Sequence, residues 1–285
     1  MRLSDKLVAI AIVLVIVCMQ SHTMAQSGSR GSSSRRAVSR PVAPRTNFAP
    51  GGSSSRSNIG QPSIPGFAFL ELFTSEGCSS CPPADENLAR LNTKIEDNDR
   101  IYTLSYHVDY WNRLGWEDPY SQSAFTKRQR NYATAFDSEK VYTPQLVING
   151  AVEFNGSDEQ KSDKAVELAL QQTPTAGIEV RASLKKDTVR IHWQVAGIQS
   201  NDVISFALVQ NEGRQKVTTG ENANRDLSHI NIVRKLKSIP AKRSNGRLTL
   251  DLPDDFVAAK FHVVAFVQSR TGQIKNATRT KFSAS

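Results

Sequence analysis

The sequence predicts an α/β domain followed by a small antiparallel β-sandwich-like domain, behind a disordered N-terminal tail. Three observations carry this expectation. An apolar run at 67–73 leads through a turn into a helical pattern and then a second strand pattern at 101–108, which is the order of a parallel βαβ unit. Beyond Pro174 and Gly177 the chain changes to short alternating runs separated by turns, as in a sandwich. Residues 26–63 are rich in Ser, Gly, Pro and Arg and cannot bury enough apolar surface to order themselves.

The net charge of +9 over 285 residues invites a nucleic-acid reading, but the charge sits at the front. Residues 1–25 have the layout of a secretory signal: Arg2 and Lys6, an apolar run Leu7–Met19, then small residues around Thr23-Met24-Ala25. The run makes about 20 Å of helix, short of a bilayer core of roughly 30 Å. The expectation is therefore a cleaved signal, an exported protein (secreted or periplasmic), and no membrane span after cleavage. The linker at 26–63 holds six arginines (Arg30, Arg35, Arg36, Arg40, Arg45, Arg56) and no acid. What remains, 64–285, has 28 basic and 26 acidic residues, a net of +2. Nucleic-acid binding loses its support.

Signal cleavage leaves Cys78 and Cys81 as the only thiols. One Cys-x-x-Cys is a poor framework staple, because so short a loop removes little chain entropy. A zinc site would need a second Cys or His pair, and none stands at matching spacing. Phe67–Phe73 reads as a buried strand, and 74–77 as a turn. From Cys81 onward, prolines and acids open a helix with Ala84, Leu88, Leu91 and Ile95 on one face. Cys78 then stands just ahead of a helix N-terminus, where free N–H groups and the macrodipole favour a thiolate. Cys81 is the expected resolving thiol. Val141–Gly150 is a second supporting element, a strand entered through Thr143-Pro144 and closed by an Asn-Gly turn into Val152–Phe154. A cis Thr143–Pro144 bond facing the cysteines is expected, as at the matching strand of thioredoxin-like folds.

Three segments together resemble one family: 72–85 (Leu-Phe-Thr-Ser-Glu-Gly-Cys-Ser-Ser-Cys-Pro-Pro-Ala-Asp), 106–120 (Tyr-His-Val-Asp-Tyr-Trp-Asn-Arg-Leu-Gly-Trp-Glu-Asp-Pro-Tyr) and 142–150 (Tyr-Thr-Pro-Gln-Leu-Val-Ile-Asn-Gly). This is the secreted thioredoxin-like family filed as domain of unknown function 1223, and the likeness runs from about residue 66 to the C-terminus. It implies a thioredoxin-like domain outside the cytoplasm, at 64–174, with an insert at about 109–140. It implies no established activity. Relative to thioredoxin itself, no Trp precedes Cys78 and the dipeptide between the cysteines is Ser-Ser.

Ile101–Val108 alternates and reads as the strand parallel to the first, which puts His107 and Asp109 at a carboxyl end, where α/β sheets gather ligands. His107 is a candidate proton shuttle or metal ligand, with Asp109 as its orienter. The bland reading is a hydrogen-bonded strand-end histidine beside a Tyr-Trp-Trp packing cluster (Tyr110, Trp111, Trp116). Glu71 and Glu76 are candidate proton acceptors for Cys81, with a solvated loop acid as the plain reading of Glu76. The helix expected at about 123–136 is a candidate lid, and Asp158–Gln171 a further helix capped by Ser157.

In 175–285, strands are expected at 178–184, 188–195, 203–210, 247–252, 261–268 and 273–277. The polar stretch 220–234 reads as a loop entering a strand, or as a binding surface offered by Asn224, Arg225 and His229. No nucleophile elbow, phosphate loop or Walker pattern occurs. The function these readings favour is thiol–disulfide exchange at Cys78 and Cys81 with Pro144 and Thr143 alongside, acting on protein or peptide thiols and disulfides and needing no cofactor. One rival is copper delivery by Cys78, Cys81 and His107, a soft ligand set suited to Cu(I). The other is a non-catalytic envelope-binding module in which the cysteines are a local staple.

Overall fold

The apolar run at the front of the folded chain forms strand β1 (Ala68–Thr74), with all seven residues buried. The computed structural model describes residues 65–94 and 100–283. The expected signal peptide at 1–25, the linker at 26–63 and Ile95 lie outside the described residues. After β1 come α1 (Pro82–Thr93), β2 (Ile101–His107), α2 (Ser123–Ala135), β3 (Gln145–Ile148), β4 (Val152–Asn155) and α3 (Glu159–Leu170). Strands then dominate: β5 (Gly177–Lys185), β6 (Thr188–Ala196), β7 (Val203–Lys216), β8 (Asp226–Pro240), β9 (Asn245–Asp251), β10 (Phe261–Gln268), β11 (Ile274–Thr280) and β12 (Phe282–Ser283).

The α/β thioredoxin-like domain with a separate sandwich after it is not what forms. The described residues make a sheet-rich fold of twelve strands in two sheets with three α-helices. The larger sheet has the order β11-β10-β7-β8-β2-β1-β3-β4, so strands from both halves of the chain share it. β1 and β2 are parallel, β3 runs antiparallel to β1, and β8 meets the free edge of β2 through Ser105 and Ile232. That junction joins the two halves of the chain into one sheet. An exposed β2 edge would leave unpaired N–H and C=O groups, and β8 pairs with that edge at Ser105. The smaller sheet, β12-β5-β6-β9, packs its apolar face on one side of β7 and β10, against Ile204, Phe206, Leu208, Val263 and Ala265.

The faces divide cleanly by residue parity. Phe69, Phe73, Ala207, Val209 and Phe266 share a core with Phe125 and Tyr132 of α2. Ala68, Leu70 and Leu72 pack the opposite face against Ala84, Leu88 and Leu91 of α1 and Val166 and Ala169 of α3. Burying each large apolar side chain contributes about 1.5–3 kcal/mol. The helix expected as a lid is thus part of the core. Arg128 of α2 ties it down, donating from Nε to Glu71 Oε1 at 2.7 Å and from Nη2 to Oε2 at 2.9 Å. Tyr132 Oη also donates to Glu71 Oε2, so Glu71 is committed to this network.

Local signals were otherwise followed closely. Asn149 and Gly150 turn the chain with φ of 50° and 60°, both left-handed, as a tight hairpin needs. A Cβ at Gly150 would also meet the Gly272 carbonyl oxygen at 2.0 Å, so only glycine fits. The cap of α3 is Asp158, whose Oδ1 accepts from Lys161 N–H at 3.0 Å; Ser157 instead bonds Asn155.

Candidate functional site around the Cys78–Cys81 disulfide

Thr74 ends β1 and the chain turns through Ser75–Ser80 into α1, whose N-cap is Cys81. Backbone bonds wind this segment tightly: Cys78 N–H donates to Ser75 O, Cys81 N–H to Cys78 O, and Asp85 N–H to Cys81 O. Cys78 and Cys81 are joined in a disulfide, and both are wholly buried. Ser79 and Ser80, between them, are exposed, and Ser80 Oγ lies 3.4 Å from Cys78 Sγ. The Thr143–Pro144 peptide bond is cis. Pro144 precedes Gln145, which pairs with Phe73, so it stands at the same end of the sheet as the cysteines. Thr143 is linked to them through Trp111: its Oγ1 accepts from Trp111 Nε1 at 2.7 Å, and a Cβ at Gly77 would lie 3.1 Å from Trp111 Cβ.

Behind the disulfide lies a buried set of ionisable groups. His107 stands at the end of β2 in register with Thr74, as its strand position implies. Its orienter is Asp118 and not Asp109: Nδ1 lies 2.7 Å from Asp118 Oδ2. Asp109 turns away, its Oδ1 accepting from Thr126 Oγ1. Asp118 also accepts from the N–H groups of Glu76 and Tyr120, each at 2.9 Å. Burial disfavours its charge, yet His107 and these N–H donors hold its pKa below the ordinary value.

His229 of β8 fills the space between two acids, with Nε2 3.3 Å from Glu76 Oε1 and Nδ1 3.5 Å from Asp85 Oδ1. These are ion pairs without the alignment of good hydrogen bonds. Burial works against a charged imidazole, but Asp85 and Glu76 overcome it and push the pKa up to about 10. Glu76 is therefore no solvated loop acid; it is fully buried and also accepts from Trp116 Nε1 at 2.8 Å. The His107 and His229 rings meet edge to face at 4.6 Å between centroids, with Tyr120 against both.

The long β7–β8 hairpin closes the outer side. Its tip, 217–225, brings Asn222 over the cysteine turn, where Nδ2 donates to Glu76 O at 2.8 Å and to Cys78 O at 3.0 Å. Ser79 N–H donates to Glu221 Oε2 at 3.1 Å. Asn224 sits in the tip's turn with φ 67°, and Arg225 donates from Nη1 to Asn222 Oδ1.

Of the residues expected at the site, Cys78, Cys81, His107, Glu76, Thr143 and Pro144 come to one end of the sheet, while Asp109 and Glu71 serve other contacts. Asp85, Asp118, His229 as a buried group, and Asn222 are additions. Asp85 had a signal: it stands one helical turn after Cys81, the i,i+4 spacing that puts two side chains on one face. While the two sulfurs are bonded to each other neither is a thiolate ligand. Among the described residues no three His, Cys, Asp or Glu side chains form a group able to hold a metal ion.

A family model described as "Protein of unknown function (DUF1223)" matches residues 69–268. No curated protein matches the chain. Among solved structures, a crystal structure of an Agrobacterium tumefaciens protein is similar at 27% identity and a TM-score of 0.56, covering 79% of this chain and 97% of that one. HBP35 of Porphyromonas gingivalis is similar in fold at 15% identity, with a TM-score of 0.56, 78% of this chain and 77% of that one. Neither is described as a thioredoxin.

Proposed function

The chain belongs to the DUF1223 family of proteins of unknown function, and we propose that it is an exported thiol–disulfide exchange protein working through Cys78 and Cys81. The observation that supports this most is where the disulfide lies. It spans two residues in the turn that leads into α1, at the same end of the sheet as buried carboxylates and imidazoles. A loop that short removes little chain entropy, so stabilisation is a poor reason for the bridge. The positive end of the α1 dipole, just after Cys78, favours a thiolate there. A bridge of this kind also suits an oxidising compartment, in keeping with the export signal read at 1–25. Among the described residues no helix is long and apolar enough to cross a membrane.

Written for a dithiol substrate, the step balances as follows. A substrate thiolate attacks Cys78 Sγ, the Cys78–Cys81 bond breaks, and Cys81 leaves as a thiolate that takes up a proton. The second substrate thiol, giving up its proton, attacks the substrate sulfur of the mixed disulfide, and Cys78 leaves as a thiolate. The substrate loses two electrons and becomes a disulfide; the protein gains them, with one proton on Cys81 and the other in solvent. In the reducing direction the same steps run backwards. Asp85, one turn after Cys81 and paired with His229, is the proton site for the resolving thiol. Cys81→Ser, incubated with a disulfide-bonded protein, should accumulate a mixed disulfide at Cys78, and Cys78→Ser should exchange nothing. A Cys78→Ser protein with full exchange activity would overturn the reading.

A further inference from the structure

The disulfide is closed off by the chain's own hairpin. Glu221 and Asn222 at the tip of β7–β8 engage three main-chain groups of the cysteine turn: the carbonyls of Glu76 and Cys78 and the N–H of Ser79. A carboxamide N–H giving to a carbonyl, and an oxygen taking from an N–H, are what a passing peptide backbone also offers. Trp116 and Thr219 complete the seat. Thr219 Oγ1 donates to Gly115 O, and Gly220 lies against Trp116, where a Cβ would come within 3.3 Å of Trp116 Cβ. Asn222 is wholly buried by this arrangement, although it belongs to a hairpin tip. With the tip seated, neither sulfur is open to an attacking thiolate.

We infer that the tip at 217–225 is a displaceable lid whose Asn222 carboxamide holds the place of a substrate's main-chain N–H, while Glu221 clasps the opposite edge of the same turn. A polypeptide carrying the reacting thiol or disulfide takes over the Cys78 carbonyl that Asn222 now holds, as the tip lifts. The ligand class is therefore a polypeptide segment, and a small thiol reaches the sulfurs only while the tip is away. This rests on the exchange reading above, and rate and potential separate the two.

The test is the rate at which dithiothreitol reduces the disulfide in the full chain, followed by alkylation and mass spectrometry. It is compared among the unaltered protein, Asn222→Ala and Glu221→Ala. Removing the two Asn222 bonds should speed reduction about tenfold, the factor that two lost hydrogen bonds correspond to. Glu221→Ala, which removes an exposed side chain, should speed it about threefold. If Asn222→Ala fails to fold, Glu221→Ala decides. Equal rates in a folded variant would overturn the lid. The reduction potential measured alongside bears only on the exchange reading, so a structural potential with accelerated variants would leave the lid standing and remove its catalytic purpose.

Discussion

His107 and Asp118 form a fully buried pair, Nδ1 to Oδ2 at 2.7 Å, eleven residues apart in sequence and joined across the loop that follows β2. The pair fixes the imidazole at the strand end, and it anchors the loop by taking the Glu76 N–H on the same oxygen. Removing one member leaves the other buried without its partner. Asp118→Asn should therefore lower stability by about 3 kcal/mol in urea unfolding. Asp109→Asn, at the neighbouring acid that bonds Thr126, should cost about 1 kcal/mol. Equal losses would return the orienting role to Asp109.

His229 gives a pH signature with a definite sign. Its pKa is raised to about 10 in the fold, against about 6.5 in the unfolded chain. The stability it contributes is complete below about 6.5 and is lost as the pH rises through about 10. The groups facing it are Glu76, Asp85, His107 and Tyr120. The melting temperature should fall across that window, and His229→Gln should flatten the fall while lowering stability at neutral pH. An unchanged slope in a folded His229→Gln protein would remove the ion-paired imidazolium from the core.

Arg128 joins α2 to β1 through Glu71 and lies over the rings of Tyr106, Tyr132 and Phe266 at 5.0 to 5.6 Å. Arg128→Met keeps much of the volume but strands a buried carboxylate. We expect a loss of about 3–5 kcal/mol, with Glu71→Gln/Arg128→Met recovering part of it. Urea unfolding of the single and double variants measures both. A loss under about 1 kcal/mol would show that α2 is loosely held, as a lid would be.

Much of the first half was legible because its signals are local. The β1 run, the helix opening at Pro82, the Asn149-Gly150 turn and the Thr143-Pro144 approach to β3 are each written within a few residues. The sheet that unites the halves was not, because strand pairing over long sequence separation leaves no local mark. Even so, Ile204–Val209 and Val263–Val267 are nearly continuous apolar runs, which is the pattern of strands covered on both faces. Reading them as alternating strands of a separate sandwich lost that signal. β8 was hidden for the opposite reason: Lys235 and Lys237 face outward, and only Leu227, His229, Ile232 and Val233 are buried. Among the site residues, Asp85 was within reach through its spacing from Cys81. Asp118 and Asn222 act through loops that only the folded chain brings to the cysteines.

The most direct measurement is a redox titration of the purified protein in thiol–disulfide buffers, with the state of Cys78 and Cys81 read by alkylation. Thiol–disulfide exchange predicts a midpoint between roughly −120 and −270 mV, within the range of exchange proteins. A midpoint below about −300 mV would mark the Cys78–Cys81 bridge as structural and contradict the proposed function.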